Sequence, residues 1–172
     1  LPSYVFKALL VPSFLAIFYA IPFGKKHLRL REFSLLKIFL IAFVWAFVGA
    51  FMTEAGFQKE SFILFLQRFF LIYAITLPFD LRDAKLDQRV SLATIPLRIG
   101  IRPAIWTGHL AIFSLLATYL LYPIEDMWPR YVSLLVAFLL LLCWNFKRPW
   151  YYYLFFLDTC IILDSLAVVN LF

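Results

Sequence analysis

The chain alternates between long apolar runs and short charged segments. A helix that crosses a bilayer needs about 20 apolar residues, and six runs fit that requirement, with the fifth being short. These runs are Ser3–Phe23, Lys37–Thr53, Ser61–Phe79, Pro103–Tyr122, Arg130–Trp144 and Trp150–Phe172. No internal repeat and no low-complexity linker separates them. The pattern predicts an all-α bundle of about six transmembrane helices that forms a single transmembrane domain over residues 1–172.

Composition supports the same fold class. Hydrophobic residues make up 65% of the 172 positions, the mean hydropathy is +0.90, and 21 residues are phenylalanine. Ordinary soluble domains are about 45–50% apolar by a broader count that includes glycine. We therefore exclude a water-soluble enzyme, a disordered tail and a disulfide-stapled secreted domain.

The charged segments predict an orientation. From the first connecting loop to the fifth, the Lys plus Arg count runs 5, 1, 5, 1, 2. The positive-inside rule then places the first, third and fifth loops in the cytoplasm. The net charge of +6 indicates loops that face anionic lipid. We therefore expect a multi-pass integral membrane protein whose partner is the lipid bilayer, with no nucleic-acid partner.

Three aspartates stand out in the third loop, which spans residues 80–102. Asp80, Asp83 and Asp87 are spaced i, i+3 and i+7. On a helix these positions fall at about 0°, 300° and 340° around the axis, so the three carboxylates share one narrow stripe. Arg82, Lys85 and Arg89 have the same spacing but lie on the opposite face.

This spacing leaves the aspartates without a cation on their own helix. None has a lysine or arginine three or four residues away. Neighbouring like charges are destabilising by about 0.2–0.5 kcal/mol per pair. A divalent cation would relieve the repulsion, and Mg²⁺ suits carboxylate ligands that it shares with water and phosphate oxygens. The alternative is a solvated acidic stripe backed by a basic stripe that binds anionic lipid.

The motif and its surroundings resemble the UbiA-type intramembrane prenyltransferases. The segment from Asp80 to Asp87, DLRDAKLD, is similar to the second Asp-rich motif of that family, and the segment from Thr94 to Gly100, TIPLRIG, is similar to the segment that follows it. The basic segment from Leu28 to Lys37 is similar to the loop after the family's fourth helix. The resemblance covers about the C-terminal two thirds of the family.

The resemblance implies a fold of nine transmembrane helices, of which this chain supplies the last six. It implies an integral membrane enzyme that transfers an isoprenyl group from a Mg²⁺-bound isoprenyl diphosphate to a hydrophobic or aromatic acceptor, such as a quinone precursor. Asp80, Asp83 and Asp87 would be the catalytic metal ligands. The basic residues that would bind the diphosphate are Lys25, Lys26 and Arg29. We expect the Asp-rich loop to face the cytoplasm of a bacterial inner membrane.

The family's first Asp-rich motif does not occur in this sequence. We therefore expect the chain alone to be inactive and the complete protein to be the enzyme. The alternative is a non-catalytic membrane scaffold or an inactive relative. A CDP-alcohol phosphotransferase is disfavoured because its signature is missing, and a transporter because we find no pair of glycine-interrupted helices.

Other polar residues fall inside the apolar runs. We expect Arg68 to extend its charged end toward the non-cytoplasmic interface. In the last run, Asp158 and Asp164 are six residues apart and so lie on different faces. We expect a neighbouring helix to satisfy Asp158 and solvent to satisfy Asp164.

Overall fold

The computed structural model describes residues 3–21, 34–51, 58–89, 94–123, 128–144 and 149–169. Within these ranges the regular structure is entirely helical. In chain order the helices are α1 Ser3–Ala20, α2 Ser34–Phe51, α3 Lys59–Arg89, α4 Ile95–Ile99, α5 Ile101–Leu121, α6 Trp128–Leu142 and α7 Trp150–Val169. Each of the six predicted apolar runs overlaps one of these helices, and the prediction of an all-α chain is confirmed over the described residues.

Two helices are long and apolar enough to cross a membrane, namely α3 and α5. The segments Lys37–Phe51 and Trp128–Leu142 are apolar but shorter. This assessment rests on length and composition and covers only the described part of the chain. It indicates possible membrane association, while the bundle of about six spans stays a prediction.

Helix α3 is the centre of the bundle, since it contacts α2, α4, α5, α6 and α7. Its central residues, including Leu71, Ala74 and Leu77, are buried among the other helices. A second apolar cluster, built on Phe47, Phe51 and neighbouring residues, joins α2 to α3. A helix that is apolar around most of its surface favours this central position, because its neighbours can cover every side.

The third loop is shorter than the sequence predicted. The sequence pattern predicts one connection over residues 80–102, but α3 continues through Arg89 and α4 occupies Ile95–Ile99. The helix continues because Leu81 and Ala84 extend the buried face of α3 beyond its apolar run. The Asp-rich motif therefore lies on the last turns of a 31-residue helix.

Contacts between side chains near the helix ends show the relative directions of the helices. Lys37 near the start of α2 contacts Asp80 near the end of α3, so these two helices are antiparallel. Gln67 in the first half of α3 contacts Arg130 at the start of α6, so those two are parallel. The bundle thus has an Asp-rich end, where α3 finishes, and an opposite end, where α6 begins.

Glycine is required where α4 meets α5. Gly100 has φ +92° and ψ 160°, a conformation that only glycine adopts readily. It is the single residue between the end of α4 at Ile99 and the start of α5 at Ile101. This junction closes the segment from Thr94 to Gly100 on which the family resemblance partly rests.

We predict that Gly100→Ala lowers the free energy of unfolding by about 1–3 kcal/mol, the usual cost of forcing a side chain into this backbone region. Space is not the cause, because the nearest atom to an added Cβ is 3.6 Å away. Unfolding in mixed detergent micelles would measure the change. Ile99→Ala is the control, since the neighbouring Ile99 side chain is exposed. An equal loss in both variants would contradict a backbone origin.

Candidate functional site

The acidic cluster consists of Asp80, Asp83 and Asp87 on the last turns of α3. Asp80 is buried, whereas Asp83 and Asp87 are partly exposed. One oxygen of Asp80 and one of Asp87, the Oδ2 atom in each case, are buried and have no hydrogen-bond partner among the described residues. Buried carboxylate oxygens normally have a partner, so these two atoms are open acceptors at the Asp-rich end.

A cation from another helix contacts the cluster. The Nζ atom of Lys37 on α2 lies 3.4 Å from Oδ1 of Asp80. The prediction concerned cations on the same helix, and the cation that contacts Asp80 comes from a different helix. Spacing within one helix could not reveal Lys37, because the partner comes from 43 residues away.

Asp83 is also paired, contrary to the sequence prediction. Arg82 donates from Nε and Nη2 to the two carboxylate oxygens of Asp83, at 2.7 and 2.9 Å. The Arg82 guanidinium carbon also lies 5.3 Å from the ring centre of Phe79 and 5.5 Å from that of Tyr153. The spacing predicts that Arg82 lies on the face opposite the aspartates, but its long side chain turns back to the adjacent residue.

The electrostatics of the cluster reflect burial and crowding. These residues lie beyond the apolar run of α3, which ends at Phe79. Burial raises the pKa of Asp80, while the Lys37 ammonium opposes that rise and the nearby Asp87 carboxylate adds to it. Burial likewise raises the pKa of Asp87, again opposed by Lys37. The like charges are close enough to affect one another, as the shared stripe predicts.

The fit of these residues to Mg²⁺ is partial. Among the described residues, no group of three or more His, Cys, Asp or Glu side chains is arranged to hold a metal ion. The Oδ2 atoms of Asp80 and Asp87 are nevertheless buried without a hydrogen-bond partner among the described residues. Mg²⁺ commonly takes only one or two carboxylates and completes its shell with water and phosphate oxygens. Asp80 and Asp87 can therefore each offer one oxygen to a cation, while both oxygens of Asp83 accept hydrogen bonds from Arg82.

An apolar groove lies close to Lys37. It has a volume of about 870 Å³ and is lined by α1, α2 and Phe69 of α3. Phe39 and Leu40 in its wall are two and three residues after Lys37 along α2. Among the described residues that line it, Ser13 is polar and the others are apolar. The groove is large and apolar enough to hold a hydrocarbon chain.

The three predicted diphosphate ligands, Lys25, Lys26 and Arg29, lie outside the described residues. Sequence reasoning counted Lys37 among the basic residues of the first loop but gave it no role in the site. Thr94 belongs to the segment that resembles the family. It is buried at the start of α4, and its hydroxyl has no hydrogen-bond partner among the described residues.

A second polar group, which we call the arginine cluster, lies at the opposite end of the bundle. Asp164 of α7 contacts both Arg68 and Arg130, and Arg130 donates to Oε1 of Gln67 at 3.1 Å. All members of the cluster are buried: Gln67, Arg68, Tyr119, Arg130 and Asp164. The cluster joins α3, α5, α6 and α7 through polar side chains.

The sequence expectations for this region were wrong. Arg68 does not extend to the interface, because its Nε atom lies 3.4 Å from Oδ2 of Asp164 and its side chain is buried. Asp164 is 5% exposed and is not solvated, whereas Asp158 is exposed. Gly49 of α2 makes room for Arg68, since an added Cβ would overlap its Nη1 atom. The low hydropathy of an isolated arginine or aspartate was the signal, but it did not show which residues pair.

No family model, curated protein or solved structure matches this chain.

We predict that Asp164→Asn lowers the free energy of unfolding by about 3–5 kcal/mol, because removing one partner leaves buried guanidinium groups uncompensated. Asp158→Asn on the same helix is the matched control and should have little effect, because that carboxylate is exposed. Denaturant titration in mixed micelles compares the two. If both variants were as stable as the parent chain, the ion pairs would contribute nothing to the fold.

Proposed function

We propose that this chain supplies one half of the Mg²⁺–diphosphate site of an integral membrane prenyltransferase of the UbiA type. The observation that carries the proposal is that Oδ2 of Asp80 and Oδ2 of Asp87 are buried and have no hydrogen-bond partner among the described residues. They lie on one stripe of α3, next to a lysine from α2 and near an apolar groove. The motif resemblance in residues 80–100 supplies the reaction class.

In this proposal each polar residue has a separate task. Asp80 and Asp87 would each offer one oxygen to Mg²⁺ bound with the diphosphate, and Mg²⁺ when bound neutralises charge on that leaving group. Lys37 pairs with Asp80 in the structure and would also contact diphosphate oxygens. Arg82 keeps the Asp83 carboxylate fixed in a two-bond contact. Lys25, Lys26 and Arg29 stay candidates for additional diphosphate contacts.

The apolar groove would hold the isoprenyl chain. A diphosphate contacting Lys37 would lie within about one turn of helix from Phe39 and Leu40 in the wall of the groove. The groove lining also includes Phe14, Phe43 and Phe69. Aromatic faces stabilise positive charge electrostatically, so such rings can shield an allylic carbon as its bond to the diphosphate lengthens. The acceptor would be hydrophobic or aromatic, such as a quinone precursor.

We further propose a multi-pass location with the Asp-rich end in the cytoplasm, in a bacterial inner membrane. Support comes from the two helices that are long and apolar enough to cross a bilayer. Lys37 and Arg82 lie at the same end of the bundle as Asp80. Basic residues concentrated at one end favour a cytoplasmic position for that end.

A second candidate function is a non-catalytic membrane scaffold or inactive relative. The contact between Arg82 and Asp83 favours it, because an aspartate held at both oxygens is a poor metal ligand. The two candidates differ in whether the open oxygens of Asp80 and Asp87 are needed for chemistry.

We predict that Asp87→Asn in the complete protein reduces Mg²⁺-dependent prenyl transfer at least about 100-fold, since one coordinating charge is lost. Product formation from an isoprenyl diphosphate and a panel of aromatic acceptors, assayed in nanodiscs, measures the effect. Asp158→Asn is the control because its carboxylate is exposed and lies on α7.

Three outcomes separate the hypotheses. Loss of activity in Asp87→Asn with an unchanged control supports the enzyme. Full activity in Asp87→Asn contradicts the metal role. If the complete protein, shown to be folded, transfers no prenyl group to any acceptor in the panel and does not bind the diphosphate, the scaffold is favoured.

We predict that Lys37→Gln weakens binding of the isoprenyl diphosphate about tenfold or more, as expected when a charge-assisted contact is lost. The KM for the diphosphate should rise more than kcat falls, because the residue binds the substrate before the reaction. Lys59→Gln is the control, since Lys59 begins α3 at the opposite end and lies over the Tyr122 ring. Equal KM values in the two variants would remove Lys37 from the site.

A further inference from the structure

The arginine cluster is incomplete in a specific way. Four of its buried atoms have no hydrogen-bond partner among the described residues: Nε and Nη2 of Arg130, Nε2 of Gln67 and Oη of Tyr119. All four can donate a hydrogen bond, and only the tyrosine oxygen can also accept one. The missing partner is therefore an acceptor.

The net charge of the cluster also indicates that the missing partner is an acceptor, and one with negative charge. Two guanidinium groups share the single carboxylate of Asp164. Its Oδ2 atom lies 3.4 Å from Nε of Arg68, but its Oδ1 atom is 4.0 Å from Nε of Arg130. The usual range is about 2.7–3.2 Å for N–H···O, so the contact with Arg68 is long and the one with Arg130 is no hydrogen bond. As described, the cluster carries one excess positive charge, and an uncompensated buried charge is costly.

The open edge of Arg130 has a defined shape. Its Nε and Nη2 atoms form the side of the guanidinium that binds two oxygens at once. Arg82 uses the same two atoms to hold both oxygens of Asp83 at 2.7 and 2.9 Å. Arg130 itself is 1% exposed, and its remaining nitrogen, Nη1, already donates to Gln67.

We propose that the arginine cluster is a binding site for a phosphate-type oxyanion, with the Nε–Nη2 edge of Arg130 as the main contact and Gln67 and Tyr119 as additional donors. A water molecule fits less well, because it brings no charge and has two hydrogens of its own to donate into a group of donors. An oxyanion supplies several acceptors and neutralises the excess charge.

This site is separate from the proposed diphosphate site. Arg68 and Asp80 are 12 residues apart on α3, which corresponds to about 18 Å along the helix axis. The anion could be free phosphate or the phosphate of a lipid headgroup, since both present the same oxygens. The proposal does not depend on prenyl transfer and can be tested without any activity.

The test is a binding experiment on the full chain. In a glycoside detergent that contains no phosphate, inorganic phosphate is titrated at constant ionic strength and followed by calorimetry. In parallel, nanodiscs of phosphatidylglycerol are compared with nanodiscs of an uncharged glycolipid, and retained phospholipid is counted by native mass spectrometry. We expect one phosphate or one tightly retained phospholipid per chain, and the arm that gives the signal identifies the source.

The variants separate a site from a structural contact. Tyr119→Phe should weaken binding about tenfold, because one hydrogen bond to a charged group is lost. Arg130→Lys should weaken it further by removing the two-pronged edge. Tyr131→Phe is the matched control, since this exposed tyrosine packs its ring 5.8 Å from that of Tyr119. If Arg130→Lys fails to fold, phosphate binding by Tyr119→Phe still tests whether the cluster is the binding site.

Two results would overturn the proposal. One is the absence of binding in both arms, or binding that Tyr119→Phe leaves unchanged. The other concerns Glu125 and Asp126, which lie just before α6 and outside the described residues. If only the double variant Glu125→Gln/Asp126→Asn bound phosphate, a carboxylate of the chain itself would already fill the site.

Discussion

Charge buried inside an apolar bundle has to be compensated by charge from another helix, and this constraint organises the structure. Helix α3 carries Arg68 in one half and Asp80 in the other, and both side chains are buried. The arginine contacts Asp164 of α7 and the aspartate contacts Lys37 of α2. An unpaired charge in such surroundings would cost several kcal/mol, so these contacts restrict how α2, α3 and α7 can be arranged.

The same pairing keeps the Asp-rich end ready for a ligand without completing it. Lys37 contacts Oδ1 of Asp80, while Oδ2 of Asp80 and Oδ2 of Asp87 have no hydrogen-bond partner among the described residues. Both oxygens of Asp83 accept hydrogen bonds from Arg82. Two open carboxylate oxygens and a nearby ammonium are complementary to a cation shared with a phosphate, which explains why we favour that ligand over a purely structural role.

Periodicity predicted the parts of the structure that depend on one helix. The six apolar runs each overlap a helix, and the aspartate stripe falls on a helix as the i, i+3, i+7 spacing requires. Periodicity did not predict the contacts between side chains of different helices. Lys37 is 43 residues from Asp80, and Asp164 is still farther along the chain from Arg68, so no spacing rule connects them. Arg82 was misplaced for a local reason, since the rule for helix neighbours overlooks a flexible side chain that turns back to the adjacent residue.

The two ends of the bundle differ in the kind of buried atom that has no hydrogen-bond partner among the described residues. At the Asp-rich end the open atoms are carboxylate oxygens, which attract a cation. At the other end they belong to Arg130, Gln67 and Tyr119, which attract an anion. A bare cation is therefore favoured at the Asp-rich end and a bare oxyanion at the arginine cluster. Among the described residues, the unpartnered acceptors at one end belong to α3 and the unpartnered donors at the other belong to α3, α5 and α6. This separation gives the bundle an electrostatic polarity that neither cluster would produce by itself.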